Sequence, residues 1–161
     1  MIVQLSKKED WKQFKTIRLE ALLTHPEAFG SSFEEESNLS DEEFEQNFKK
    51  STIFGAIQNN QLVGCAGFFI CSSSKMSHRG MLFSMYIKNE YRGQGIGEAL
   101  LKAVIAHAKN LVMQLHLTVV TANQRALKLY KKSGFRIYGT EPRSLKIGDK
   151  FYDEHMMVLE L

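Results

Sequence analysis

The sequence predicts a mixed α/β fold, a single sheet of parallel and antiparallel strands with helices packed on it. Three observations carry that expectation. The hydrophobic spacing is helical up to about residue 50 and then changes to strand patterning. A strand–helix–strand run follows over residues 78–120. A helical crossover returns the chain in the same direction, so these two strands should be parallel neighbours. Hairpin signals elsewhere imply antiparallel partners.

The first helix is expected to begin near Ser6, because Ser6 and Glu9 have capping-box spacing. Trp11, Phe14, Arg18 and Leu22 then recur at helical intervals, with Ile17 and Ala21 beside them. His25-Pro26 should end it, since the residue before a proline is pushed out of the helical region. Residues 26–37, PEAFGSSFEEES, are polar with scattered aromatics and read as a loop. A second box, Ser40 with Glu43, starts a short helix carrying Phe44 and Phe48. Residues 52–58 and 61–71 read as a hairpin around Asn59-Asn60, two residues that tolerate positive φ. Residues 72–77, SSSKMS, read as a loop and 78–87 as a strand. A helix from about 95 to 110 carries Ile96, Leu100, Val104 and Ala108 on one stripe. Residues 115–120 form an apolar strand and 123–132 a short helix, which Ser133-Gly134 can stop. Two strands, 135–141 and 151–160, close the chain around a loop containing Gly148-Asp149. No repeat, linker or low-complexity tract interrupts this order, so residues 1–161 read as one domain.

Composition narrows the function classes. Of 161 residues, 43% are hydrophobic and 24% charged, enough for a core without disulfides or metal. The net charge of +3 is mild and the basic residues are mixed with acids, which argues against a nucleic-acid-binding module. The first residues turn charged too soon for a signal peptide, and no apolar run approaches bilayer length. A cytoplasmic protein with no membrane partner is therefore expected. Cys65 and Cys71 lie on one extended segment. That puts them roughly 20 Å apart, so they should be buried reduced thiols rather than a disulfide. None of the five histidines has a partner at metal-site spacing, and no metal is expected.

Chemistry concentrates in FSMYIKNEYRGQGIGEALLKAV, residues 83–104. A strand runs into a turn of Arg92, Gly93, Gln94, Gly95, Ile96 and Gly97, where a helix opens. Three glycines in five positions strip side chains from the loop, so bare N–H groups can converge on an anion at the helix start. Arg92 adds a charged donor. The run is not GxxxxGK[ST], and neither glycine start completes GxGxxG: the third position falls on Glu98 or Leu100. What remains is Arg-x-x-Gly-x-Gly, followed downstream by Asn123, Ala126, Tyr130 and Gly134-Phe135.

These two signatures, in this order, resemble those of the GCN5-related N-acetyltransferase (GNAT) superfamily, and the order of elements resembles it along nearly the whole chain. The resemblance implies a mostly antiparallel twisted sheet with a central splayed parallel pair and helices on both faces. It implies acetyl-coenzyme A as cosubstrate and direct transfer of the acetyl group to a primary amine of a small molecule or a protein N-terminus. Backbone of Met85, Tyr86 and Ile87 would hold the pantetheine arm. Arg92, Gly93, Gln94, Gly95, Ile96 and Gly97 would hold the pyrophosphate, and Asn123 would lie along the arm. Tyr130 would stand near the sulfur as general acid. Its phenol has an ordinary pKa near 10 and arrives protonated. The general base is expected to be Glu20 on the first helix or Glu34 in the loop after it, with Glu35 and Glu36 as further carboxylates there.

Acceptor contacts are expected from residues 24–39, 72–77 and 142–155, with Phe29, Phe33, Tyr152, Asp153 and Glu154 as lining groups. Acidic residues at that mouth favour a cationic amine. A non-catalytic coenzyme A sensor is the alternative, against which the retained Tyr130 argues. Relatives in the superfamily are often dimers, so the resemblance implies a homodimer or a monomer, between which the sequence does not choose.

Overall fold

The computed structural model describes residues 1–161. Its elements are β1 (Ile2–Leu5), α1 (Asp10–Thr24), α2 (Phe33–Ser37), α3 (Asp41–Lys49), β2 (Thr52–Gln58) and β3 (Gln61–Ile70). They continue with β4 (Arg79–Ile87), α4 (Ile96–Ala108), β5 (Gln114–Val120), α5 (Gln124–Lys132), β6 (Arg136–Ile147) and β7 (Lys150–Glu160). The seven strands form one sheet in the order β1-β2-β3-β4-β5-β7-β6. Only β4 and β5 run parallel, as the crossover through α4 requires. No helix is long and apolar enough to cross a membrane.

Alternation along the strands feeds two cores. On one face, α4 and α5 bury Leu100, Leu101, Val104, Leu127 and Tyr130 against Val63, Ala66 and Leu115. On the other, α1 and α3 bury Trp11, Phe14, Ile17 and Phe44 against Ile53, Leu62 and Cys65. Leu100 and Val104 are wholly excluded from water, and each such side chain contributes about 2 kcal/mol of burial. Gly97 lets α4 close onto the sheet: a Cβ there would stand 3.0 Å from Ile87 and 3.3 Å from Leu129.

Several local features differ from expectation. The first strand, β1, was not anticipated; four residues carry too little alternation to announce a strand, and pairing with β2 is what makes it one. The Ser6–Glu9 box does not form. Helix α1 starts at Asp10 with no side-chain cap, and the Asp10 carboxylate accepts the N–H of Lys7 in the preceding turn at 2.8 Å. Residues 26–37 are not all loop. They hold α2, where Ser32 and Glu35 make a reciprocal capping box. The Ser40–Glu43 box forms as read. The hairpin residues Asn59 and Asn60 take φ of 48° and 61°. Strand β6 continues to Ile147 instead of stopping near 141. It passes Pro142 through a register shift between Glu141 and Leu145, with Arg143 at φ 52°. Cys65 is buried, whereas Cys71 is only partly so.

Two irregularities position the site. Pairing between β4 and β5 stops at Met81↔His116, so the strands splay and residues 82–87 have no partner on that side. Opposite β3, Cys65 pairs with Tyr86 but Gly67 pairs with Phe83, which puts one extra residue in β4. Ser84 sits in this bulge at φ 56°. An extra residue inverts side-chain parity. Leu82 faces the α4 core and Phe83 the α1 core; beyond Ser84, Met85 and Ile87 face α4 while Tyr86 faces α1.

Candidate active site

The splay opens a cleft of about 790 Å³ between β4 and β5. One end is the turn before α4. Gly93 and Gly95 take φ of 80° and 78°, left-handed values that cost a side-chain-bearing residue about 1–2 kcal/mol. The first bond of α4 runs from Ala99 N–H to Gly95 C=O, so the amides of Ile96, Gly97 and Glu98 have no backbone partner. They and the positive end of the helix dipole favour an anion. Arg92 turns inward: its Nε–H donates to the Ile87 carbonyl at 2.9 Å and Nη2 to His25 Nε2 at 2.9 Å. That ties the turn to the end of β4 and leaves the remaining guanidinium hydrogens for a ligand. Arg125 adds a second cation on the cleft wall.

The middle of the cleft is walled by β4 and α5. Met85, Tyr86 and Ile87 line it from one side, Asn123, Ala126 and Tyr130 from the other. Asn123 caps α5, its Oδ1 accepting the Ala126 N–H at 3.1 Å, so only its amide NH₂ is left to meet a ligand. Tyr130 stacks edge-on to Phe135 at 5.9 Å. Burial alone holds its phenol well above the ordinary range, so the hydroxyl is protonated at neutral pH.

The rest of the cleft is assembled from distant segments. His25, Glu27 and Phe29 come from the α1–α2 connection, Arg18 from α1, Tyr152 and Glu154 from β7. A guanidinium can only donate, so His25 Nε2 is placed to accept from Arg92, and its Nδ1 lies 3.8 Å from Glu27. Glu154 is 8% exposed and accepts the Ser144 hydroxyl at 2.5 Å. No lysine or arginine stands within ion-pair distance of it.

Most of the expected residues thus share one cleft: Met85, Tyr86, Ile87, Arg92, Gly93, Gly95, Ile96, Gly97, Asn123 and Tyr130. Gln94 is exposed beside it and bonds the Glu90 carbonyl. Glu20 is not on the cleft wall. It accepts the Tyr86 hydroxyl at 2.9 Å and pairs with Lys88 at 3.2 Å, so it reaches the cleft only through that phenol. Burial, with the Glu20 carboxylate adding to it, pushes the Tyr86 phenol up. Glu34 is exposed in the first turn of α2, away from the wall. Of the acceptor-side expectations, Phe29, Tyr152 and Glu154 line the cleft; Phe33, Asp153 and the segment 72–77 do not. Sequence reasoning passed over Arg18 and His25, which carry no motif; only helical phase, placing Arg18 on the buried stripe with Phe14 and Leu22, hinted at the first.

Known proteins resemble this chain in sequence and in fold. Residues 11–135 match the model of the Acetyltransferase (GNAT) family. The thialysine N-epsilon-acetyltransferase of Bos taurus is 37% identical over 81 residues, 50% of this chain and 48% of that protein. The chain spans about half the length of the curated relatives it matches. An acetyltransferase of the GNAT family from Streptococcus pneumoniae superposes with a TM-score of 0.85 at 25% identity, covering 100% of both chains. A Salmonella typhimurium structure with its cofactor acetyl-CoA gives a TM-score of 0.86 at 18% identity over 100% of this chain and 94% of that one.

Proposed function

This chain belongs to the Acetyltransferase (GNAT) family, and from that premise we propose that it transfers the acetyl group of acetyl-coenzyme A to a cationic primary amine, by direct attack within a ternary complex. One observation carries the reading: a bulged, half-unpaired strand β4 forms the wall of a cleft that has free helix-start amides at one end and a protonated tyrosine inside.

Such a transfer makes three demands. Developing charge on the thioester oxygen needs a donor, the thiolate needs a proton as it leaves, and the ammonium must lose one before it can attack. The unpaired backbone of residues 82–87 supports the first role. Tyr130 suits the second, since its proton is retained until it has a base to give it to. For the third, and for holding the cationic acceptor, we propose Glu154, a buried carboxylate on the cleft wall with no protein cation beside it. Glu20 remains a second route, through the Tyr86 hydroxyl. The amides of Ile96, Gly97 and Glu98, with Arg92 and Arg125, suit the pyrophosphate and phosphate charges.

The test is release of free coenzyme A, followed with a thiol reagent, from acetyl-coenzyme A and a panel of amines. Release that depends on a cationic amine is the expected result and names the acceptor class. Release with no preference for cationic amines would remove the role of Glu154. Tight acetyl-coenzyme A binding without release from any amine or peptide would overturn the transferase reading in favour of a sensor.

A further inference from the structure

We propose that Arg18 is a positioning residue: its guanidinium holds Ser84, and through it the bulge of β4, and links that bulge to α2 and Phe29 on the acceptor side. The inference rests on the transferase reading above, because it matters most if the bulge holds the reacting thioester.

Ser84 has φ of 56°, a left-handed conformation that is unfavourable for a residue with a Cβ. Such a conformation persists only where surroundings impose it. Two contacts do so. Arg18 Nη1 donates to the Ser84 hydroxyl at 3.1 Å, with both residues buried. The Cys65 thiol donates to the Ser84 carbonyl at 3.2 Å. Burial pushes that thiol up to about 12, so it stays a donor throughout the neutral range.

Arg18 is itself held rigidly. Glu36 of α2 accepts from Nε at 3.0 Å and from Nη2 at 2.7 Å, a forked pair along one edge of the guanidinium. The plane that satisfies Glu36 aims Nη1 at Ser84. The Phe29 ring lies 5.1 Å from the guanidinium carbon. Each nitrogen of Arg18 therefore already has a protein acceptor, although the residue borders the cleft. One hydrogen on each Nη is left over, but the Glu36 carboxylate offsets the charge and the three bonds fix the plane, so the group shapes the site. An acceptor that shifts Phe29 or α2 would be felt at the bulge through this one side chain. Lysine could keep the charge opposite Glu36 but has no fork to aim at two partners.

The test is a double-mutant cycle on the full chain. Arg18→Lys, Ser84→Gly and the double variant are compared in kcat, in KM for acetyl-coenzyme A and in Tm. Glycine removes the hydroxyl but accepts a positive φ, so it deletes the link without adding strain. Arg18→Lys should lower kcat at least about tenfold and leave the acetyl-coenzyme A KM within about threefold, as misplacing a reacting group does. In the Ser84→Gly background the same change should cost less than about twofold, because the link is already gone. Losses in kcat that simply multiply, or a lysine variant with full kcat, would overturn the proposal. Amide hydrogen exchange at residues 84–86 gives a reading independent of turnover: Arg18→Lys should speed it about tenfold or more as the bulge opens locally. Unchanged exchange would overturn the proposal even in a chain that acetylates nothing. Absence of acetyl transfer by the unmodified protein would overturn only the transferase reading. Should Arg18→Lys fail to fold, Ser84→Gly alone must still show the loss of kcat and the faster exchange.

Discussion

The two ends of the cleft are built on different principles. At the glycine end, Arg92 to Gly97 are contiguous, and what they offer is backbone: left-handed glycines and the unpaired amides of α4. On the α1 side, Arg18, Phe29, Tyr86 and Glu154 come from α1, the α1–α2 connection, β4 and β7, and His25 bridges from that connection to Arg92 of the turn. Their orientation depends on contacts between side chains far apart in sequence. A site made of backbone tolerates side-chain drift but not a Cβ or charge in the wrong place. A site made of side chains depends on each partner being held.

The sharpest way to break the contrast is at Gly95. Gly95→Asp adds a negative charge at the helix start and a Cβ at φ 78°. Acetyl-coenzyme A affinity, read by calorimetry, should fall by about a hundredfold or more, since dipole and charge now oppose the phosphates. Undiminished affinity would mean that the turn does not bind the ligand. Next comes Tyr130→Phe. Turnover should drop by about a hundredfold, in the usual range for a lost general acid, with little change in acetyl-coenzyme A affinity. The phenol of Tyr130 is raised, so it stays protonated as pH rises past the ordinary value near 10. The pH–rate profile should accordingly show no loss from this group between about pH 7 and 9. An alkaline fall there that vanishes in the phenylalanine variant would contradict the assignment.

Glu154→Gln probes the α1 end. It removes a buried charge while keeping the shape that accepts the Ser144 hydroxyl. The amine KM should rise about tenfold, kcat should fall about tenfold or more because glutamine cannot take the proton, and acetyl-coenzyme A affinity should not move. A change confined to acetyl-coenzyme A would place Glu154 on the wrong side of the comparison. The smallest expected effect lies outside both ends. Ser40→Ala removes the cap of α3, costing about 1 kcal/mol and lowering Tm by a few degrees, with kcat intact. The Ser40 backbone and hydroxyl hold Glu43 below its ordinary value, so the contribution of that carboxylate is present above about pH 4.5 and lost as pH falls through the depressed value. Melting curves at pH 7 and pH 3 should therefore differ less between the two proteins at the lower pH.

Legibility followed the same division. The strand–turn–helix at Arg92–Gly97 and the Asn123–Tyr130 helix could be read because local sequence and local structure coincide there. The Ser40 box and the Asn59-Asn60 turn were legible for that reason too. Capping spacing alone was not sufficient. Ser6 and Glu9 have it and do not form a box, while Ser32 and Glu35 have it within a stretch that reads as loop and do. Glu34 shows the same limit: it is close in sequence to Glu36, but α2 turns Glu36 inward to Arg18 and leaves Glu34 exposed.

The sequence by itself determined the order of most elements, the parallel crossover, the glycine turn and the helix that follows it. Each depends on periodicity or on φ preferences acting within a few residues. Only the tertiary structure decided that β4 bulges at Ser84, that it leaves β5 after Met81, and that Arg18 stands against the bulge. A serine has no intrinsic reason to adopt a left-handed φ, and a strand has none to leave its neighbour. Both are imposed by long-range contacts from α1 and β3 whose combined stabilisation exceeds the local cost.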